Sequence, residues 1–147
     1  MAETRTALIT GASRGIGAAC ALLLAERGWD IAVNFARDEA AAQRVAAGVR
    51  ERGRRAVVLQ ADVADERAVL AMFATLDTQG WRLAGLVNNA GIVDVKARFD
   101  EMSAARWRRM LDVNVFGTLL CSREAVRRMS SVHGGTGGGI VNMASVA

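Results

Sequence analysis

An α/β fold, built on a doubly wound parallel sheet with helices on both faces, is predicted by three features of this sequence. Short β-rich runs alternate with longer helical patterns from one end to the other. The β-rich runs are mostly continuous apolar stretches, as strands covered on both sides must be. A glycine-rich turn, Thr10-Gly11-Ala12-Ser13-Arg14-Gly15-Ile16-Gly17, stands directly behind the first of these runs and opens a helical stretch. With 147 residues, 52% of them hydrophobic, the chain is long enough for one domain with a buried core, so residues 1–147 are read as a single unit.

Five strands are expected, over residues 6–10, 30–35, 55–60, 84–88 and 140–143. They are expected in the spatial order 3-2-1-4-5 of a Rossmann-type sheet. Helices fill the intervals. Ile16, Cys20, Leu23 and Leu24 fall at helical spacing in the first and predict its core stripe, as do Val69, Met72, Phe73 and Leu76 in the third. Asp38, Asp65 and Ser103 stand where N-caps belong, and Gly28 and Gly53 follow the first two helices. A long helix is expected from about residue 103 to 131. After it, the run from His133 through Gly139 reads as a mobile surface loop, and His133 as an exposed loop residue.

The glycine turn carries the first chemical signal. A strand-turn-helix of this kind aims the unpaired N–H groups of the helix start at an anion, where a parallel sheet receives the phosphates of a dinucleotide. Gly11 permits the sharp turn, Gly15 lets the backbone approach the pyrophosphate, and Gly17 allows the helix to lie close to the strand. Ser13, Arg14 and Ile16 complete the loop.

Composition narrows the partners. The formal charge of +4 raises the question of nucleic acid, but the arginines are spread over several helices without aromatic interleaving, and solvated helix faces explain them better. No apolar run is long enough to span a bilayer and no signal peptide pattern opens the chain, which predicts a cytoplasmic protein. Cys20 and Cys121 lie in helical patterns without metal-ligand spacing, so buried free thiols are expected and no metal site.

Further residues keep a fixed order along the chain: Asp62-Val63 after the third strand, Asn88-Asn89-Ala90-Gly91 at the end of the fourth, Asn114 in the long helix, and Ser145 after the fifth. Together with the T-G-x-x-x-G-x-G loop, this set resembles the short-chain dehydrogenase/reductase family from about Thr6 to Ala147. The resemblance implies that Asp62 accepts a hydrogen bond from the adenine amino group beside the Val63 backbone, and that Asn89, Ala90 and Gly91 line the ribose and nicotinamide side. Taken alone, Asp62 reads as a turn or cap residue. Asn88 is expected to tie strand ends together.

Within such a site, an NAD-preferring protein ends its second strand with a carboxylate that repels a 2′-phosphate. Here Asn34-Phe35-Ala36 offers no acid and Arg37 follows, with Arg14 in the loop as a second guanidinium. NADP(H) is therefore the expected cofactor. Arg37 also admits the plainer reading of a solvated loop residue.

The resemblance further implies that Ser145 donates to the substrate oxygen and that Asn114 holds a water in a proton relay. Asn114 equally suits a helix residue satisfying a kinked backbone. Relatives place a Tyr-x-x-x-Lys pair beyond the serine, where the ammonium lowers the phenol pKa. This sequence has no tyrosine, and its one lysine is Lys96. The dinucleotide-binding domain 1–147 is accordingly expected to be truncated after the fifth strand and inactive alone.

Two functions stay open at this point. One is an NADP(H)-dependent oxidoreductase acting on a small-molecule carbonyl or alcohol, such as a 3-oxoacyl, sugar or steroid-like compound; the other is a non-catalytic NADPH-binding remnant or regulator. The long helix resembles the one through which such enzymes form homodimers and homotetramers, with Trp107 and Met110 either on that surface or buried on the sheet. Neither nucleic acid nor membrane is expected as a partner.

Overall fold

The computed structural model describes residues 4–145. Five parallel strands form one sheet in the order β3-β2-β1-β4-β5, as expected: β1 (Thr6–Ile9), β2 (Asp30–Phe35), β3 (Ala56–Gln60), β4 (Leu83–Asn88) and β5 (Gly139–Asn142). The order reverses at β1, which pairs with β2 on one side and β4 on the other. In open parallel sheets such a reversal leaves a crevice at the carboxyl ends of the strands.

Helices α1 (Gly15–Glu26) and α2 (Glu39–Glu51) pack on one face, and α3 (Glu66–Thr78) with α5 (Gly117–Met129) on the other. Strand alternation distributes the core between them. Ala7, Ile9, Ile31 and Val33 face the first layer, while Leu8, Ala32 and Leu86 face the second, where Phe73 and Leu76 are fully buried. Burial of each valine, leucine, isoleucine or phenylalanine among them stabilises the fold by about 1.5–3 kcal/mol relative to exposure.

The expected caps are present. Asp38 Oδ1 accepts from the Ala41 N–H at 2.9 Å, Asp65 Oδ1 accepts from Arg67 and Ala68, and Ser103 Oγ accepts from Arg106 at the start of α4 (Ala104–Leu111). The long helix is continuous through α4 and α5 but contains one π turn, Asp112–Phe116. The stripe of α3 is buried as the spacing predicts.

That of α1 is not. Ile16 and Leu23 are 60% and 50% exposed, and the buried face is Gly17, Ala21 and Ala25. A helix lying this close to its sheet has room only for small side chains beneath it, so the larger apolar residues are turned outward and sideways. β5 is the edge strand that the expected order makes it, paired with β4 among the described residues, but Val141 is 54% exposed, a thinner cover than its apolar run predicts. The glycine run before it is pinned instead of loose. Gly137 N–H donates to Met129 O at 2.8 Å, and a Cβ on Gly135 would lie 2.4 Å from the Arg128 carbonyl oxygen. His133 is exposed on a short 3-10 turn there.

Two buried carboxylates tie the layers. Asp30, 1% exposed, receives Arg54 and Arg55 at 2.8 and 3.1 Å and joins the amino ends of β2 and β3. On α5, Glu124 is held by Arg123, Arg127 and Arg128, while Arg128 reaches on to Asp77 and Arg123 to Glu66 of α3. Burial pushes the Glu124 carboxyl up, but hydrogen bonds from Arg128 and Arg123 and the charges of Arg127 and Arg123 outweigh it and hold the group below its usual value. Next to it, burial and the Glu124 charge raise the Cys121 thiol to about 12, so it stays protonated and unreactive.

A folded-state pKa that is depressed adds stability above the unfolded carboxylate value, and that stability is lost as pH falls through the folded value. Glu124→Gln is therefore expected to lower unfolding stability by about 1–3 kcal/mol at neutral pH, with the deficit shrinking in acid. Urea unfolding monitored at both pH values measures this; coincident midpoints at neutral pH would refute the role given to the carboxylate.

Candidate functional site

The site begins where β1 runs into the glycine turn. Thr10 is 1% exposed, and its Oγ1 accepts from the N–H groups of Asn89 and Ala90 at 3.0 and 2.9 Å. In return Asn89 Nδ2 donates to the carbonyls of Thr10 and Gly11, both at 3.0 Å. The turn after β1 and the segment after β4 are thus locked to each other at the sheet's carboxyl edge.

That lock requires glycine at two positions. A Cβ on Gly17 would sit 2.5 Å from Asn89 Nδ2 and 2.6 Å from the Gly11 carbonyl, and one on Gly11 would sit 2.9 Å from Ala90 Cα. Gly11 and Gly15 also have φ of +60° and +58°, a conformation that side chains disfavour. At Gly15 nothing lies within 4 Å of a Cβ position, so the loop there faces open space. From below, Asn34 accepts from Gly11 N–H at 3.1 Å and donates to the carbonyls of Leu59 and Ala61, which leaves its amide engaged with the protein. It supports the loop from the layer beneath.

A groove of about 610 Å³ opens over this edge. Gly11, Ser13, Arg14, Gly15, Asn34, Arg37, Asp62, Val63, Asn89, Ala90 and Gly91 border it, which brings together most of the residues the sequence singled out for a cofactor. The start of α1 has no side-chain cap, unlike those of α2, α3 and α4, so its first-turn N–H groups remain for another acceptor. Ile16 is exposed on that first turn, and Gly17 lies beneath it.

Arg109 of α4 also borders the groove, and sequence reading did not find it. Its Nη2 donates to Asp62 Oδ2 at 2.9 Å, while Asp62 Oδ1 accepts from Ala64 N–H at 3.0 Å. Burial raises the Asp62 carboxyl, but the Ala64 amide, the Arg109 guanidinium and the charge of Arg37 together keep it below the ordinary carboxylate value. Both readings of Asp62 are therefore compatible with its place: it makes a turn contact and it faces the groove.

Asn114 sits on the π turn. Its Oδ1 accepts from Ile92 N–H at 2.8 Å and its Nδ2 donates to Ile92 O at 2.9 Å, so it fastens the irregular helix to the segment leaving β4. A Cβ on Gly91 would come 3.3 Å from Asn114 Oδ1, and glycine keeps that approach open. Asn88 ties strand ends as expected, donating to Asn142 Oδ1 of β5 at 2.8 Å and to Ser122 Oγ of α5 at 3.0 Å. Ser145 is exposed three residues past Asn142, as Gly91 stands three past its register partner Asn88.

A parallel sheet in this order, a glycine turn locked to an Asn-Asn-Ala-Gly segment and a π-turn asparagine define a class, and the comparisons agree with it. Residues 5–147 match the family described as short chain dehydrogenase, and the chain belongs to that family. It is 50% identical over 141 residues to the uncharacterized oxidoreductase YgfF of Escherichia coli K12, covering 96% of this chain and 57% of that protein. It is 39% identical over 142 residues to the cis-4-hydroxycyclohexanecarboxylate dehydrogenase of Sinomonas cyclohexanicum, covering 97% and 55%. The crystal structure of acetoin dehydrogenase from Enterobacter cloacae superposes with a TM-score of 0.90 at 41% identity, over 99% of this chain and 57% of that one. The chain thus spans little more than half the length of these relatives. The family is one of oxidoreductases that use nicotinamide cofactors.

Replacing Thr10 by valine keeps the shape but leaves two half-buried N–H groups, those of Asn89 and Ala90, without their acceptor. The expected cost is about 1–3 kcal/mol in folding stability. Chemical denaturation of the variant checks this, and an unchanged stability would mean that the lock contributes nothing.

Proposed function

We propose that this chain is the nucleotide-binding part of an NADP(H)-dependent oxidoreductase that moves a hydride between the nicotinamide ring and a small carbonyl or alcohol. The observation that carries the proposal is the groove itself: an uncapped helix start and an open Gly15 at one wall, Arg14 and Arg37 beside them, and no carboxylate at Asn34, Phe35 or Ala36, while Asp38 at the rim is engaged in capping α2. Those features suit a pyrophosphate and an additional 2′-phosphate.

In this reading Asp62 accepts from the adenine amino group, with Val63 alongside, and Asn89, Ala90 and Gly91 bound the ribose and nicotinamide side. Ser13 and Ile16 belong to the phosphate loop, and Asn34 acts by holding that loop. A bound nicotinamide supplies the hydride donor or acceptor. Ser145 donates to the substrate oxygen and stabilises charge developing there. Asn114, fastened to Ile92 through its side-chain amide on the π turn, holds a water in the proton relay.

The chain has no tyrosine, and a positioned acid or base is worth about 10²–10⁴ in rate, so the 147-residue piece is proposed to bind cofactor with little turnover. The substrate is a small ketone or alcohol; the relatives' names cover several such compounds.

We place the protein in the cytoplasm; no helix among the described residues is long and apolar enough to cross a membrane. Leu111, Val115, Leu119 and Val126 recur along one exposed side of the α4–α5 helix, with Phe116 beside them. This apolar side is proposed to pair with its counterpart in a homodimer or homotetramer. Trp107 stacks on Phe99 with centroids 5.3 Å apart near its edge.

NADPH is expected to bind at least about tenfold more tightly than NADH, a difference of about 1.4 kcal/mol. Arg37→Ala is expected to remove most of that preference without weakening NADH. Calorimetric titration reads both, and equal affinities in the unmodified protein would sink the assignment to NADP(H). Leu119→Glu is expected to shift full-length protein to a smaller species in sedimentation experiments; an unchanged mass would rule out this helix as the pairing surface.

A further inference from the structure

Asp62 leaves the end of β3 on a short turn between the buried Ala61 and Val63, with its own side chain 40% accessible. An aspartate in that situation normally samples several rotamers, and ordering it when a ligand arrives subtracts from affinity. Here it is already ordered. One oxygen accepts from the Ala64 amide on its own turn, and the other accepts from Arg109, 47 residues further along the chain. A carboxylate has about four acceptor positions, so two such bonds still leave room for an incoming N–H.

The base of Arg109 is itself well anchored. α4 is capped by Ser103 at its start and runs into the π turn, where Val113 is buried and Asn114 clasps Ile92. The helix that carries the guanidinium is therefore fixed to the same segment that borders the other end of the groove. As a surface ion pair with both partners well exposed, Arg109–Asp62 adds little to folding stability. Its consequence lies in where it holds the carboxylate.

We propose that Arg109 is a positioning residue for the nucleotide: its bond to Asp62 Oδ2 fixes that carboxylate as the acceptor for an adenine amino group, so affinity for the adenosine half of the ligand depends on α4. This rests on the nucleotide reading given above and adds to it a residue that never needs to touch the phosphates. Arg14 and Arg37 serve the charged part of the ligand; Arg109 serves the neutral base.

The test is a set of titrations on full-length protein with NADPH, NADH and reduced nicotinamide mononucleotide, the last carrying no adenosine. Arg109→Met is expected to weaken NADPH and NADH alike, by about 3- to 10-fold, the cost of ordering one side chain. Nicotinamide mononucleotide should be unaffected and the thermal unfolding curve should hardly move. Arg109→Lys, which keeps a donor in reach, should recover part of the loss. In an Asp62→Asn background, Arg109→Met should add no further loss, because the two residues act as one unit.

A loss confined to NADPH would overturn the proposal by making Arg109 a ligand for the 2′-phosphate. Additive losses in the double variant, or no loss in the single one, would overturn it as well. If the unmodified protein bound none of the three nucleotides, the underlying nucleotide reading would fall first, a result distinct from an intact affinity that ignores Arg109.

Discussion

The whole carboxyl edge of this sheet depends on one close approach, that of the Gly11–Gly17 turn to the Asn89–Ala90 backbone. Thr10 and Asn89 exchange hydrogen bonds across it, and the absence of side chains at Gly11 and Gly17 is what allows the two segments to come within bonding distance. Without that contact, β1 and β4 would still pair, but their ends would diverge and no groove wall would face another. Asn34 extends the same logic to β2 and β3 through three further bonds. The buried side chains of Thr10 and Asn34, and that of Asn89, find their partners on neighbouring segments, and those bonds set the shape of the cleft.

Charge is arranged on this scaffold with little redundancy. Arg14, Arg37 and Arg109 border one groove with two carboxylates, Asp62 bonded to Arg109 and Asp38 capping α2. Elsewhere the arginines are spent on internal carboxylates: two on Asp30, three on Glu124. The positive formal charge thus reflects many local pairs more than a single basic surface, which is why composition alone said little about partners.

Strand positions and order, three helix caps and the glycine turn were legible in the sequence because each is written locally, in a run of apolar residues, an Asp or Ser before a helix, or a glycine at a bend. Most of the groove was legible for the same reason. The buried face of α1 was misread, since spacing alone favours the bulky Ile16 and Leu23 over the small residues that tight packing selects. The thin cover of β5 is not written in its residues, because an apolar strand looks alike at the centre and at the edge. Asn114 is legible as a helix residue engaged with backbone, but its partner Ile92 and the bond of Arg109 to Asp62 leave no local mark, for they lie 22 and 47 residues away. A tertiary contact of that kind has no spacing rule to betray it.

The parallel register carries a consequence for how the chain acquires its shape. Thr10 bonds to Val87 across 77 residues, so the central strand is made early in synthesis and cannot find its second neighbour until more than half the chain has followed. Large loops must close before such pairings return any energy, and assembly of this kind is slow. During that interval Leu8 and Ile9, destined to be wholly enclosed, stand on an unfinished edge. The nascent polypeptide therefore passes through a window in which an unpaired apolar strand edge is open to association with other chains.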